Sequence, residues 1–319
     1  MTNPLGVHAL VFTGGTAPEQ VRRAVELATT TGYDLLELAL LDPESIDVAA
    51  ARAAVQDAGI GVSGSLGLAP ATDVSSEDPD AVAAGEKQLH SALGVVAGLG
   101  GRHLCGVIYS AMGKYMAPAT PRGRANAVAV LRRLADHAAD QGVRLAVEVV
   151  NRYETNIMNT AGEAMAFLDE VDRPNVKVHV DTYHMNIEEN TMDGPVLALG
   201  DRLGYVHIGE SHRGYLGSGS IDFGPFFRAL AQIGYTGAGH LRILLLRRRR
   251  PCPVEPTRRL AKSLGRLRAP RPPRPCLYAH RPGVGRSCGD VNLSTCTTIR
   301  RRHPCQSNSP RESGVEAKP

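Results

Sequence analysis

Short apolar runs alternate with longer amphipathic stretches seven times between Val7 and Ile233. The short runs have the composition of buried strands, and the longer ones carry apolar residues at helical spacing. This alternation predicts repeated βα units around a parallel sheet. The predicted strands are Val7–Phe12, Leu35–Leu40, Gly61–Leu66, His103–Ile108, Leu145–Val150, Val176–Asp181 and Tyr205–Ile208. The predicted helices lie near Ala17–Thr31, Pro43–Ala58, Asp80–Leu99, Pro121–Gln141, Thr160–Val171, Thr191–Leu199 and Phe223–Ile233.

Seven βα units are one strand short of a (β/α)8 TIM barrel, which typically takes about 250 residues. The eighth strand is expected directly after the stretch IGYTG, which ends at Gly237, and there the composition changes to arginine and proline. We therefore predict a TIM barrel whose eighth strand is altered or incomplete. We assign residues 1–246 to the barrel domain and residues 247–319 to a disordered basic tail, because proline abundance and low apolar content favour disorder.

The charge of the chain divides at the same point. Up to Gly237 there are 17 Lys and Arg against 28 Asp and Glu, and after it there are 19 against 4. An acidic body is a poor partner for a phosphate backbone, so we expect no nucleic-acid partner there. The arginine runs of the tail could form an arm for nucleic acid or an anionic surface, but Tyr278 is their only aromatic neighbour for base stacking.

Cysteine usage and the amino terminus indicate a cytoplasmic protein. Cys105 is the only cysteine before the tail, so the body has no disulfide framework. The chain shows no signal segment at its start and no run of about 20 apolar residues that would span a membrane. Three tail cysteines near His303 could suggest a zinc site, but they lack a Cys-x2-Cys pair: Cys288, Cys296 and Cys305.

Three consecutive predicted strands end on side chains that bind metals, namely Glu148, Asp181 and His207. The carboxyl ends of barrel strands face the active site, because the βα loops build it there. A lone Glu or His in a strand is often an edge or core residue, but three at successive strand ends favour a shared site. Two carboxylates and an imidazole suit Mn2+, Co2+ or Mg2+ better than a thiolate-bound zinc.

The stretches EVVNRYETN, VDTYHMNIEE and HIGESHRG begin at Glu148, Val180 and His207. In order and spacing they resemble the sugar isomerase/epimerase barrels of the xylose isomerase-like family, and most closely the ketose 3-epimerases that act on D-tagatose and D-psicose (allulose). The resemblance runs from about Gly6 to Gly237. It implies a homo-oligomer, a dimer or tetramer, that acts on a small sugar with a divalent metal, Mn2+ first among the candidates.

The resemblance also assigns roles to residues. It implies the metal ligands Glu148, Asp181 and His207, of which Glu148 is also a catalytic base. It implies that Glu154, His184 and Arg213 contact the sugar hydroxyls and carbonyl. Glu154 and Arg213 could instead be surface ion-pair partners, which contribute little. The implied reaction removes the proton at C3 beside the carbonyl and returns it to the other face through a cis-enediolate, so it needs two bases.

The family's second base is a metal-bound Glu on strand eight, in a context such as FESF, and no such motif follows Gly237. Freely chosen codons for the stretch after Gly237, read with one G removed, translate as GPVTFESFSSAVVA. We therefore hypothesise a one-base insertion near the codon of Ala238, which leaves the tail out of frame. In register, Arg242 replaces the second Glu. A guanidinium beside a divalent cation is repulsive and stays charged, so we expect impaired metal binding and activity.

Three other functions remain as alternatives for a barrel of this kind. An aldose–ketose isomerase such as hydroxypyruvate isomerase, or an inosose dehydratase, would use the same kind of site. A metal-dependent DNA endonuclease on this barrel would need more histidines and a less acidic body. A non-catalytic barrel remnant is the third alternative, because the second Glu is missing.

Overall fold

The computed structural model describes residues 3–237 and 239–241. In this part of the chain, eight parallel strands form a closed barrel in sequence order. The strands are β1 Leu5–His8, β2 Leu35–Ala39, β3 Gly61–Leu68, β4 His103–Ala111, β5 Arg144–Val149, β6 Val176–Asp181, β7 Leu203–Ile208 and β8 Gly239–Leu241. The helices are α1 Pro18–Thr31, α2 Val48–Ala58, α3 Pro79–Gly98, α4 Pro121–Asp140, α5 Ala161–Val171, α6 Thr182–Glu188, α7 Gly194–Leu199 and α8 Phe223–Gln232. Short 3₁₀ turns cover Ala9–Val11, Pro43–Ser45, Pro70–Thr72 and Gly200–Arg202.

The barrel closes through β8. Gly239 pairs with Val206 of β7 and with Leu5 of β1, so the three-residue strand joins the two edges of the sheet. The predicted TIM barrel is therefore confirmed for the described residues, which is consistent with the predicted altered or incomplete eighth strand. The predicted domain border at 246/247, the basic tail and Arg242 lie outside the described residues.

The structure differs from the prediction at two predicted elements and at one helix that was not predicted. The first strand, predicted as Val7–Phe12, ends at His8, because the His8 ring accepts a hydrogen bond from the Leu10 backbone N–H and the chain turns. The helix predicted from Pro43 begins at Val48, where the Asp47 side chain caps it. The short helix α6, Thr182–Glu188, was not predicted, since it begins directly after β6 with Asp181 as its cap.

The strands carry apolar residues on one face and polar residues on the other. In β5, Leu145, Val147 and Val149 alternate with Ala146 and Glu148, and all five are buried. The apolar face packs against the helices in the main core, as the outer surface of a barrel must. The other face points into the barrel, where Glu37 of β2 contacts Tyr205 of β7 across the interior.

The interior face therefore delivers polar side chains to the carboxyl ends of β5, β6 and β7. Among the described residues, no helix is long and apolar enough to cross a bilayer.

Candidate metal and sugar site

The three predicted metal ligands lie at the carboxyl ends of adjacent strands, and their side chains are almost fully buried. Asp181 and His207 are direct partners in the β6–β7 ladder, and Glu148 lies on the neighbouring strand β5. Glu148 exposes 3% of its surface, Asp181 0% and His207 1%, so the site is shielded from bulk water. Burying two carboxylates is costly unless positive charge or donors balance them.

Glu148 connects two groups of possible metal ligands. It lies with Asp181 and His184 in one group and with His179 and His207 in the other, and in each group the ligand atoms lie within 4.8 Å of one another. The structure thus brings Glu148 close to both other predicted ligands, while Asp181 and His207 fall in different groups. Carboxylate oxygens and imidazole nitrogens form a donor set that fits a divalent cation, so the residues present fit the kind of metal that the sequence resemblance implies.

The pKa of His207 reflects the carboxylates around it. Burial alone would lower the pKa of its imidazole, but the carboxylates of Glu37 and Glu148 raise it to about 9. Its Nε2 lies 2.8 Å from Glu37 Oε2, and its Nδ1 lies 3.7 Å from Glu148 Oε1. A metal ion bound at this imidazole would replace a proton, so binding would release protons.

The tautomer of His184 follows from its hydrogen bonds. The backbone N–H of Asn151 donates to His184 Nδ1 at 3.1 Å, and the Asn151 side-chain amide lies 2.8 Å from the same nitrogen. Because a backbone N–H can only donate, Nδ1 is the acceptor and the proton of the neutral ring is on Nε2. Burial lowers the pKa of His184, although nearby carboxylates oppose this, so the ring is a neutral Nε2–H donor at neutral pH.

Arg213 is held in place by its backbone and by an aromatic ring. Its φ of 54° is in the left-handed region, which costs energy for a residue with a Cβ and is typical of functional loops. Its N–H donates to the Glu210 carbonyl at 2.8 Å. The guanidinium carbon lies 3.8 Å from the centre of the Tyr183 ring, a cation–π contact that fixes the direction of the side chain.

The N–H groups of Arg213 and His184 lie next to each other. Arg213 Nη2 lies 3.2 Å from His184 Nε2, and since both atoms carry hydrogens, neither can accept from the other. Glu154 Oε1 lies 3.4 Å from the same guanidinium nitrogen, and Glu148 Oε1 lies 3.7 Å from His184 Nε2. Two donors and two carboxylates thus surround one point, and an oxygen of a polyol, which both donates and accepts, suits that point.

The predicted sugar-binding residues lie together. Glu154 and Arg213 do form an ion pair, with 3.4 Å between Oε1 and Nη2, and that pair is partly buried. Their side chains expose 28% and 16% of their surface and lie beside the buried ring of His184. Asn151 links them, because its amide also lies 3.1 Å from Glu154 Oε1.

Two buried or half-buried carboxylates organise the loops around this site. Glu210, just after β7, accepts the backbone N–H groups of Ser211 and Gly217 at 2.7 and 3.0 Å. A Cβ at Gly219 would collide with the Glu210 carboxylate, so the loop folds closely around it. Glu188 of α6 accepts from the guanidinium and backbone N–H of Arg152, which ties the loop after β5 to α6.

Sequence reasoning missed four residues of this region: Glu37, Asn151, His179 and Glu210. Asn151 and Glu210 lie inside the quoted motifs, but nothing in their type distinguishes a residue that holds a loop from one that touches a ligand. Glu37 has a signal of its own, because it alternates with leucines in the stretch LLELAL and alternation places it inside the barrel. The partner that the family places on strand eight falls at Arg242, outside the described residues.

Comparison with known proteins shows the family of this chain. Residues 25–267 match the family model described as xylose isomerase-like TIM barrel. The chain belongs to this family. Two relatives are an L-ribulose 3-epimerase from Methylomonas sp., 58% identical over 232 residues that cover 73% of this chain and 81% of that protein, and a ketose 3-epimerase from Arthrobacter globiformis, 54% identical over 233 residues that cover 73% and 81%.

Solved structures give the same result. A crystal structure of D-allulose 3-epimerase from Methylomonas sp. in complex with D-allulose is 56% identical, with a TM-score of 0.75 over 76% of this chain and 84% of that one. These relatives are sugar 3-epimerases, so the chain is related to enzymes of the isomerase class.

Proposed function

We propose that this barrel is built as a metal-dependent ketose 3-epimerase and that the chain as written has impaired activity. One observation carries the proposal: Glu148 Oε1 lies 3.7 Å from His207 Nδ1 on the metal side and 3.7 Å from His184 Nε2 on the sugar side. A carboxylate in this position lies between the residues that would hold a divalent cation and those that would hold the sugar, so it can accept a proton from a sugar carbon. The similarity to ketose 3-epimerases supports the same reaction.

Glu148 is the base that takes the C3 proton in this proposal. Glu148, Asp181 and His207 would hold the divalent cation, with Mn2+ as the first candidate and Co2+ or Mg2+ as others. When bound, the cation supplies Lewis-acid stabilisation of the negative charge that develops on the sugar oxygens in the cis-enediolate.

The remaining polar residues orient the sugar. His184 Nε2–H and Arg213 donate to an oxygen, and Glu154 accepts from a hydroxyl. A buried site built for a hydroxyl rejects analogues that lack it, because its own polar groups are then left without partners. This arrangement supports a free ketose as the substrate, and a ketohexose is the class we propose, since the related crystal structure contains D-allulose.

Inversion at C3 needs a second base on the opposite face, and the chain has no glutamate at the expected place after Gly237. We propose that a one-base insertion near the codon of Ala238 removed it. We define the restored chain as the variant in which residues 237–246 read GPVTFESFSS and the in-frame sequence continues from there. Sequencing the locus tests the insertion directly: an uninterrupted frame through Pro319 in independent isolates would contradict it.

The reaction is tested by incubating the restored chain and the chain as written with Mn2+ and D-allulose or D-fructose in heavy water. We expect the restored chain to convert one ketose into its C3 epimer with deuterium at C3, as NMR of the product shows. The chain as written is expected to show little or no conversion. Deuterium at C1 or C2 with an aldose product would instead indicate an aldose–ketose isomerase, and no exchange by either chain would indicate a non-catalytic barrel.

The family resemblance also supports a cytoplasmic homo-oligomer. Size-exclusion chromatography with light scattering on the restored chain is expected to give the mass of a dimer or a tetramer. A monomeric mass would contradict this part of the proposal.

A further inference from the structure

Glu37 lies at the centre of a buried hydrogen-bond network beneath the proposed metal site. It is in the middle of β2 and is fully buried. Its Oε2 accepts from the Tyr205 hydroxyl at 2.7 Å and lies 2.8 Å from His207 Nε2, although β2 and β7 are not neighbours in the sheet. The carboxylate therefore reaches across the barrel interior to the back of the imidazole.

The O–H and N–H groups around Glu37 are directed at its carboxylate, which therefore accepts hydrogen bonds. Because Tyr205 donates to Glu37, Ser63 Oγ, 2.8 Å from the tyrosine oxygen, must be the donor in that pair. His8 Nδ1 accepts from the Leu10 backbone N–H, so the neutral ring carries its proton on Nε2, which lies 3.2 Å from Ser65 Oγ and 3.5 Å from Glu37 Oε1. Tyr205 and His207 thus direct donors at Oε2 of Glu37, and His8 adds an N–H near Oε1.

We propose that Glu37 is a positioning residue that holds the Nε2–H of His207 and so leaves Nδ1 to bind the metal. The two imidazole nitrogens are distinct, and the hydrogen bond made by one decides which atom of the other binds metal. With Nε2 directed at Glu37, Nδ1 faces Glu148 Oε1 at 3.7 Å. This inference rests on the proposed metal site and adds to it the residue that orients one ligand.

Another arrangement uses the same residues differently. Glu37, Cys105 and His207 also place one ligand atom each within 4.8 Å of one another, so Glu37 could itself bind a metal together with the buried thiol. That arrangement needs the Nε2 lone pair of His207, whereas the hydrogen bond to Glu37 needs a proton on the same atom. The two arrangements exclude each other, and the loss of the thiol affects only the second.

The first experiment measures Mn2+ affinity by titration calorimetry on the restored chain, because the chain as written is expected to bind the metal poorly. We expect Glu37→Gln, which keeps the size of the side chain and removes its charge, to weaken Mn2+ binding about 10- to 100-fold, as for other carboxylates behind a metal-bound histidine. Tyr205→Phe, which removes another donor to the same oxygen, and Cys105→Ser are expected to change the affinity less than about threefold.

Three results would overturn the proposal. A Mn2+ affinity of Glu37→Gln within about threefold of the parent chain would show that the carboxylate does not act on the metal ligand. A loss of Mn2+ affinity in Tyr205→Phe equal to that in Glu37→Gln would show a general effect on the core. An equal loss of affinity in Cys105→Ser would show that the metal binds in the thiol-containing arrangement. Circular dichroism melting of each variant separates unfolding from loss of the site.

The second experiment needs neither metal nor a folded Glu37 variant. NMR of the full chain with ¹⁵N-labelled histidine, assigned by His207→Asn, is expected to show a downfield Nε2–H proton of His207 that is protected from exchange with water. Absence of that proton would overturn the proposal. Both readouts are independent of turnover, so a failure of the epimerase proposal leaves them interpretable.

Discussion

In the proposed site, Glu148 lies between the residues of the metal side and those of the sugar side. It is buried in β5, with His207 and His184 both 3.7 Å from its Oε1. A neutral amide at this position would keep the volume but lose the charge that a cation needs, and it could not accept a proton from carbon. The two functions therefore fail together when the charge is removed.

We expect Glu148→Gln in the restored chain to weaken Mn2+ binding by at least about 100-fold, since even residues behind metal ligands cost about 10- to 100-fold when removed. Epimerisation is expected to fall below detection. Calorimetry with Mn2+ and NMR of the products measure both effects. Glu26→Gln is the control, because Glu26 is exposed and pairs with Arg23 on the surface of α1. Wild-type affinity in Glu148→Gln would contradict the proposed ligand set.

Arg213 has a different role in the proposed site, because it contacts Glu154 and His184 and none of the three proposed metal ligands in the contacts described above. Arg213→Lys keeps the charge and the same left-handed backbone but loses the planar fork and its contact with the Tyr183 ring, which is worth about 1 kcal/mol. We expect D-allulose binding to weaken about tenfold, with Mn2+ affinity unchanged. Calorimetry with the sugar and with the metal measures the two separately. A loss of metal affinity equal to the loss of sugar affinity would show that Arg213 supports the whole site.

The placement of the three proposed ligands on adjacent strands could be predicted from sequence, because their types are rare in a strand and recur at successive strand ends. The hydrogen-bond partners could not, since Asn151 and Glu37 act through atoms that come together only across the barrel or between loops. Asn151 is separated from His184 by 33 positions, and no local pattern specifies that contact.

The loop between β7 and α8 brings Arg213 to the site, and Glu210 determines its shape. Burial would raise the pKa of Glu210, but several backbone N–H groups lower it, led by those of Ser211 and Gly219. The carboxylate is therefore ionised and satisfies loop donors that would otherwise be buried without partners. The hydrogen bonds to Glu210 therefore hold both the loop and the left-handed backbone of Arg213 in place.

We expect Glu210→Gln to lower the free energy of unfolding by about 2 kcal/mol, because it weakens charged hydrogen bonds and leaves buried N–H groups poorly paired. Amide hydrogen exchange is expected to speed up in the segment 211–221 and to remain unchanged in the strands. Glu19→Gln, at an exposed position in α1, provides the matched control. Unchanged exchange in segment 211–221 would show that Glu210 does not organise the loop.

Most elements of the barrel are visible in the sequence because strand and helix periodicities differ, and the interior-facing residues follow from simple alternation. The exceptions have local causes. The helix α6 has seven residues and starts without a loop after β6, so its apolar pattern merges with the strand before it. The first strand ends early because a side chain, His8, takes over a backbone N–H.

At the scale of the whole molecule, the barrel concentrates negative charge at one end of its interior. Glu37, Glu148 and Asp181 are all buried there, on strands β2, β5 and β6. Histidines supply part of the compensation, and a divalent cation would supply more. A glutamate on strand eight would add a fourth carboxylate and increase the affinity for that cation, whereas an arginine in register with it would compete with the cation.

The restored chain is therefore expected to bind Mn2+ at least about tenfold more tightly than the chain as written. Its melting temperature is expected to rise with added Mn2+, since a ligand at 100 times its dissociation constant stabilises the folded state by about 2.7 kcal/mol. Differential scanning calorimetry with and without Mn2+ measures this on both chains. Arg242→Glu in the chain as written provides the intermediate case, because it removes the opposing charge without rebuilding the strand. Equal Mn2+ responses in all three proteins would mean that strand eight contributes nothing to the metal site, and the loss of its glutamate would then not explain an inactive chain.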